Sequence, residues 1–322
     1  MAFVPDYRRY SVAFLAVAST ALMFWFGTGL NPWWPLLWFA PLPVLLFASR
    51  STVWGAAFTA ALSWLLGSLN LLYYWYYVNG GIGEAPASIR VLLLFALAGG
   101  LFRAALVFAL AVLLFRALLR RGAWWTALLA FPATWVSFEY LLNVISVHGT
   151  FGSLSYSQLN FLPFLQLASL TGPWGMSFLV LLFPATLAIG LHLRNVAPKQ
   201  AFRVVSAGLV VIVLVLVFGA LRLTQRTAAQ QVKVGLVASD LPANVNVAHE
   251  GPDTARLFRD YAAKAESLAD RGAQVIVLPE KLGVVVDPDT KSVDALFQSL
   301  ADKTVVDIVV GLVHVSPPVK YN

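Results

Sequence analysis

The sequence contains no cysteine. That absence excludes disulfides, thiolate metal sites and a thiol nucleophile anywhere in residues 1–322. Charge is nearly as scarce. Only 11% of the residues are Asp, Glu, Lys or Arg, whereas a soluble domain carries roughly 25%. Histidine occurs four times, and the His, Asp and Glu residues do not cluster at ligand spacing, so neither a metal nor a cofactor is expected. There is no internal repeat and no low-complexity tract. The glycines of "NGGIGEAP" (79–86) lack the strand and helix that a phosphate loop needs around them.

What the chain has instead is apolar length. Hydrophobic residues make up 59% of it, mean hydropathy is +0.77, and several apolar runs approach 20 residues. This pattern predicts a polytopic α-helical membrane bundle. The opening "MAFVPDYRRYSVAFLAV" is basic and then apolar like a signal peptide, but it has no small-residue cleavage site and more spans follow, so it reads as a retained first helix. Seven spans are predicted, at about 11–29, 31–48, 52–77, 88–115, 124–142, 162–193 and 202–223. The sixth is too long for one straight crossing, and "TGPWG" (171–175) is expected to break it.

The net charge of +7 would suit nucleic acid, but the basic residues sit at span ends rather than on one face. No nucleic-acid partner is therefore expected. With a cytoplasmic N-terminus, Arg8, Arg9, Arg50, Arg116, Arg120, Arg121, Arg194, Lys199 and Arg203 fall inside, and Arg90, Arg222 and Arg226 outside. Nine against three is a positive-inside bias. Seven spans then leave everything after residue 224 on the outer face, which in a bacterium is the periplasm.

After the linker "TQRTAAQQ" (224–231) the composition changes. "VKVGLVAS" (232–239), "QVIVLP" (274–279) and "DIVVGLVHV" (307–315) read as strands, and about 253–270 and 291–302 as helices. Strand–helix–strand–helix–strand predicts an α/β unit with a buried, mainly parallel sheet. In such sheets sites gather at the carboxyl ends of strands. Glu280 follows the second strand there, in "AQVIVLPEKLGVV" (273–285), with Pro279 fixing the backbone before it. Burial at an apolar strand end would suit that carboxyl to general-base work. The plain alternative is a loop-capping or solvent-facing glutamate.

"VIVLPE" after a strand–helix unit resembles the nitrilase (carbon–nitrogen hydrolase) superfamily, whose members use a glutamate, a lysine and a cysteine. Joined to a membrane bundle, it resembles the apolipoprotein N-acyltransferase family. The resemblance extends to "NPWWPLLWFAPLPVL" (31–45), "SLNLLYYWYYV" (68–78), "VGLVASDLP" (234–242) and, most specifically, "FGSLSYSQLNFLPFLQLASLTGPWGMSFLV" (151–180). It implies a transmembrane bundle over 1–227 and the front part of a periplasmic nitrilase-like α-β-β-α sandwich over 228–322, in a bacterial inner membrane. It also implies an acyl transfer in which a cysteine thiolate takes a fatty acyl chain from a phospholipid and passes it to the N-terminal diacylglyceryl-cysteine of an apolipoprotein. Glu280 matches the family's general base. Glu139, His148 and Tyr156 are the candidate substrate contacts. For Glu139 the alternative is an interfacial carboxylate, and for His148 a loop histidine with no role.

The family's lysine and cysteine lie further along its pattern than residue 322 reaches, and neither Lys281 nor Lys320 stands at the lysine's position. The expectation is an incomplete and inactive unit, with a pseudoenzyme or a lipoprotein-binding scaffold as the alternative. The family's tryptophan after the first strand falls at Val247. Arg103, near the middle of the fourth predicted span, is expected to need a partner or a wet cavity. The aromatic run Tyr73 to Tyr77 reads as an interfacial belt or the rim of a lipid entrance.

Overall fold

The computed structural model describes residues 7–74, 87–146, 149–225, 231–238, 252–279 and 282–315. They form two compact units, parted near residue 226, and each is described by itself.

The first unit is helical. Its elements are α1 (Tyr7–Gly27), a short 3-10 turn (Trp34–Trp38), α2 (Leu42–Arg50), α3 (Val53–Gly67), α4 (Leu69–Tyr73), α5 (Ala87–Arg120), α6 (Trp124–Ile145), a second 3-10 turn (Leu154–Gln158), α7 (Leu162–Leu165), α8 (Ala168–Leu193) and α9 (Pro198–Thr224). Among the described residues, six stretches are long and apolar enough to cross a membrane: 10–27, 53–73, 87–120, 124–145, 168–193 and 198–224. The chain is a multi-pass membrane protein.

The predicted second span is not one of the six. Pro35, Pro41 and Pro43 break it into the 3-10 turn and the nine-residue α2. It still travels the length of the bundle. Asn70 Nδ2 donates to the Trp25 carbonyl (3.0 Å) and to Thr28 Oγ1 (2.9 Å), which puts the ends of α1 and α3–α4 together. Ser51, just after α2, accepts from Arg116 near the far end of α5. Residues 28–50 therefore run from one end of α3 to the other, a rise of about 22 Å over its 15 residues.

The core of this unit is an aromatic stack linking α1, α3, α5 and α6. Phe24 meets Trp64 edge-on at 4.9 Å and Phe108 at 5.5 Å, and Trp64 lies 4.2 Å from Trp135. Small residues let neighbouring helices approach closely. A Cβ on Gly219 of α9 would stand 1.7 Å from the Pro163 carbonyl oxygen of α7. In α8 the break forecast at "TGPWG" is real: Gly172 leaves the helix at φ 64°, ψ −163°. α5 is 34 residues long, about 51 Å, and its first buried residue is Leu101. Arg103 lies near the middle of that helix with its side chain exposed at the surface of the unit.

The second unit contains β1 (Val234–Leu236), α10 (Pro252–Asp270), β2 (Val275–Val277), β3 (Val284–Val286), α11 (Asp287–Thr304), β4 (Asp307–Val309) and β5 (Val313–Val315). β1, β2 and β4 form a parallel sheet with β2 in the middle. The predicted third strand is split: its second half, β5, pairs with β3 in a separate two-stranded parallel sheet. The register places Gly235, Ile276 and Ile308 on one face and Val234, Leu236, Val275, Val277, Asp307 and Val309 on the other, which is apolar except for Asp307. The first face packs under the helices, and a Cβ on Gly235 would meet the Leu268 side chain of α10 at 3.0 Å. Tyr261 and Ala265 of α10, with Val293, Phe297 and Leu300 of α11, complete this core. On the other face Val234, Leu236 and Val309 are exposed.

The close approach at Gly219 has a measurable consequence. Gly219→Leu should lower the thermal midpoint of the purified protein by several degrees, since the α7–α9 contact must open. Gly99→Ala, whose Cβ would meet nothing within 4 Å, should leave it unchanged or slightly raised. Equal midpoints for the two variants would contradict the packing described.

Candidate functional site

Glu139 is the best-built polar site among the described residues. It sits in the penultimate turn of α6, buried, one turn beyond Trp135. That spacing lets the Trp135 indole Nε1 donate to Glu139 Oε1 at 3.0 Å. The Leu154 amide donates to the same oxygen at 2.9 Å, and Ser153 Oγ to Oε2 at 3.0 Å. Ser153 Oγ also lies 2.9 Å from Ser155 Oγ and 3.2 Å from Ser177 Oγ of α8. The carboxyl group is thus engaged by an indole, an amide and a hydroxyl, and the salt bridge seen among the described residues lies elsewhere, in the α/β unit.

A second knot lies beside the first. Gln158 is fully buried at the end of the 3-10 turn. Its Oε1 accepts from the Trp38 indole at 2.8 Å. Its Nε2 donates to the Trp34 carbonyl at 3.2 Å and to Ser157 Oγ at 2.8 Å. The Trp34 ring stacks on Phe161 at 4.3 Å. Glu139 and Gln158 together clamp residues 153–161 onto α6, α8 and the 3-10 turn before α2. The turn alternates as a result: Leu154, Ser155, Ser157 and Gln158 point inward, and Tyr156 points out.

Of the predicted site residues, Glu139 and Tyr156 fall within this assembly. Glu139 faces inward to the turn. Tyr156 is about half exposed, and its hydroxyl lies 2.5 Å from Thr150 Oγ1. His148, Val247 and Glu280 lie outside the described residues. The flanks of position 280 are nonetheless fixed. Before it, the Leu278 amide donates to the Val309 carbonyl at 2.9 Å; after it, the Leu282 amide donates to the Gly311 carbonyl at 2.8 Å. Both flanking leucines are buried, at the carboxyl end of the middle strand. Gln158, Ser153 and Ser177 were missed in the sequence. The one available signal was a glutamine and several serines in an otherwise apolar stretch.

A shallow groove of about 280 Å³ between α10 and α11, lined by Arg259, Glu266 and Lys303 among others, is a weaker candidate. Lys303 Nζ meets Glu266 Oε1 at 2.5 Å, and the hydrogen bond holds the amine above its ordinary pKa. Such exposed pairs contribute little, and the groove lies between the helices rather than at the strand ends.

Removing the Glu139 carboxyl strands three donors. Glu139→Ala should cost about 3 kcal/mol or more, since each buried donor left unpaired costs roughly 1–3 kcal/mol. Glu139→Gln, which keeps one acceptor oxygen, should cost less. Limited proteolysis should cut first within 149–161 in the alanine variant; cleavage there at the wild-type rate would sink the clamp.

The sequence model of the family described as "Apolipoprotein N-acyltransferase N-terminal domain" matches residues 20–186. Three relatives, each named "Apolipoprotein N-acyltransferase", are similar to this chain. The protein of Geobacter metallireducens is 28% identical over 254 residues, covering 75% of this chain and 46% of its own length. That of Chlorobaculum tepidum is 28% identical over 257 residues, 76% and 44%. That of Coxiella burnetii is 26% identical over 286 residues, 87% and 50%. The chain spans about half the length of the curated relatives it matches. It contains the Glu139–Gln158 assembly within the matched stretch, and it belongs to the apolipoprotein N-acyltransferase family.

Proposed function

We propose that this chain supplies the membrane bundle (1–227) and the front part of a periplasmic nitrilase-like domain (228–322) of an enzyme that N-acylates lipoproteins. The acyl donor is a phospholipid and the acceptor a diacylated apolipoprotein. Both are anchored in the outer leaflet of a bacterial inner membrane, so neither need leave the bilayer. The orientation that fits puts the basic end in the cytoplasm and the Glu139 end outside.

The chemistry proceeds in two displacements. A thiolate attacks the phospholipid ester carbonyl, forming a thioester and releasing a lysophospholipid whose alkoxide takes up a proton. The α-amine of the diacylglyceryl-cysteine then attacks the thioester, giving an amide and returning the thiol. Glu280 accepts the thiol proton in the first half and the ammonium proton in the second. The thiol must come from outside residues 1–322, which hold no cysteine. In this reading Glu139 and His148 act at the outer end of the bundle, with Tyr156 the exposed residue nearest to a substrate.

The observation that carries the reading is the pair of residues flanking position 280. Leu278, just after the middle strand of a parallel sheet, is tied to Val309 at the end of β4, and Leu282 to Gly311 between β4 and β5. The one-sided sheet supports the sandwich architecture, because its bare, largely apolar face is what a second sheet would cover. A second reading is a pseudoenzyme or scaffold that holds diacylated lipoprotein without acylating it.

The test joins residues 1–322 to whatever follows them in their reading frame, in cells depleted of their own N-acyltransferase. Mass spectrometry of a reporter lipoprotein should show the third acyl chain. Glu280→Gln should lower its rate of formation at least about 100-fold. Unchanged acylation in that variant would remove Glu280 from the mechanism. A frame with no later cysteine and no third acyl chain would establish the scaffold reading.

A further inference from the structure

Among the described residues, the basic end of the bundle holds positive charge with no carboxylate beside it. Arg116 is 8% exposed, near the end of α5, and its Nε and Nη2 both donate to the Ser51 carbonyl, at 3.2 and 2.8 Å. This caps the carboxyl end of α2, where a cation is favoured. A carbonyl is a weak partner for a buried guanidinium, however, since it supplies a dipole and no net charge.

More positive charge surrounds it. Arg120 stands one turn further along α5 from Arg116, and Arg50 immediately precedes Ser51, the residue whose carbonyl Arg116 holds; both are exposed. Among the described residues 7–225, Glu139 is the one carboxylate, and it lies at the opposite end of the bundle. Asp6, before α1, is outside the described residues. Trp54 and Phe202 are exposed at this end, Trp54 at 84%, and mark it as the depth of lipid headgroups.

We propose that Arg50, Arg116 and Arg120 form a binding site for the phosphate of an anionic phospholipid in the leaflet at the basic end. A planar guanidinium held by its neighbours suits bidentate contact with phosphate oxygens. A zwitterionic headgroup brings its own cation and would face these arginines with it; a net-anionic headgroup does not. The site is remote from the Glu139 end and does not depend on the acylation reading.

The test uses the 322-residue protein in neutral detergent, with thermal unfolding as the readout. Dispersed phosphatidylglycerol should raise the midpoint by a few degrees, phosphatidylcholine at the same mole fraction by much less, and inorganic phosphate not at all. The double variant Arg50→Gln/Arg120→Gln, changed at two exposed positions, should fold normally and lose most of the phosphatidylglycerol shift. Arg116→Lys should lose part of it, because an ammonium cannot hold the Ser51 carbonyl through two donors and so loosens the turn that carries Arg50. Arg203→Gln, exposed at the same end but outside this chain of contacts, should keep it. Three outcomes overturn the proposal: equal shifts with both lipids, the same shift with inorganic phosphate, or a loss in Arg203→Gln as large as in the double variant.

Discussion

Hydrocarbon offers polar groups no water, so each must find an internal partner or lie at an end. Much of the bundle is arranged by that constraint, with Thr20 Oγ1 and the Trp64 indole as buried exceptions. Most of its described cations collect at one end around Arg116 and the turns beside it, with Arg90, Arg103 and Arg222 the exceptions. Its one described carboxylate is buried at the other end and satisfied by an indole, an amide and a hydroxyl. Even the proline-broken segment obeys the rule. The 3-10 turn and α2 leave a gap in the helical ladder, and the Gln158 amide fills part of it by accepting from Trp38 and donating to Trp34.

The two ends therefore differ. At the Glu139 end, a compact turn is fastened over the helices and presents Tyr156 outward. At the basic end, Arg116 caps α2 and exposed arginines lie beside it. The α/β unit adds the chemistry proposed for Glu280. Its parallel sheet is covered by α10 and α11 on one face and left largely apolar on the other, a geometry that fits half of a two-layer sandwich.

Much of this was legible in the sequence, because the strongest signals are physical periods. Long apolar runs located six helical crossings, and the strand–helix alternation after residue 231 located the two α/β helices. The break at "TGPWG" followed from glycine and proline chemistry, and Gly172 bears it out. What failed were matters of length and pairing. The segment 31–48 was apolar enough for a span, but its prolines divide it. The strand at 307–315 was one apolar run, and nothing local told that its halves join different sheets. The partners of Glu139 and Gln158 are brought together by tertiary folding, which composition and spacing do not encode.

The absence of cysteine turns the central claim, that the two ends of the bundle face opposite sides of the membrane with the basic end in the cytoplasm, into a direct measurement. Single cysteines at two exposed turns, Asn195→Cys between α8 and α9 and Gln225→Cys just after α9, can be probed with a membrane-impermeant maleimide. Intact spheroplasts should label position 225 and spare position 195 until they are lysed. Labelling of 195 from outside, with 225 protected, would contradict the account.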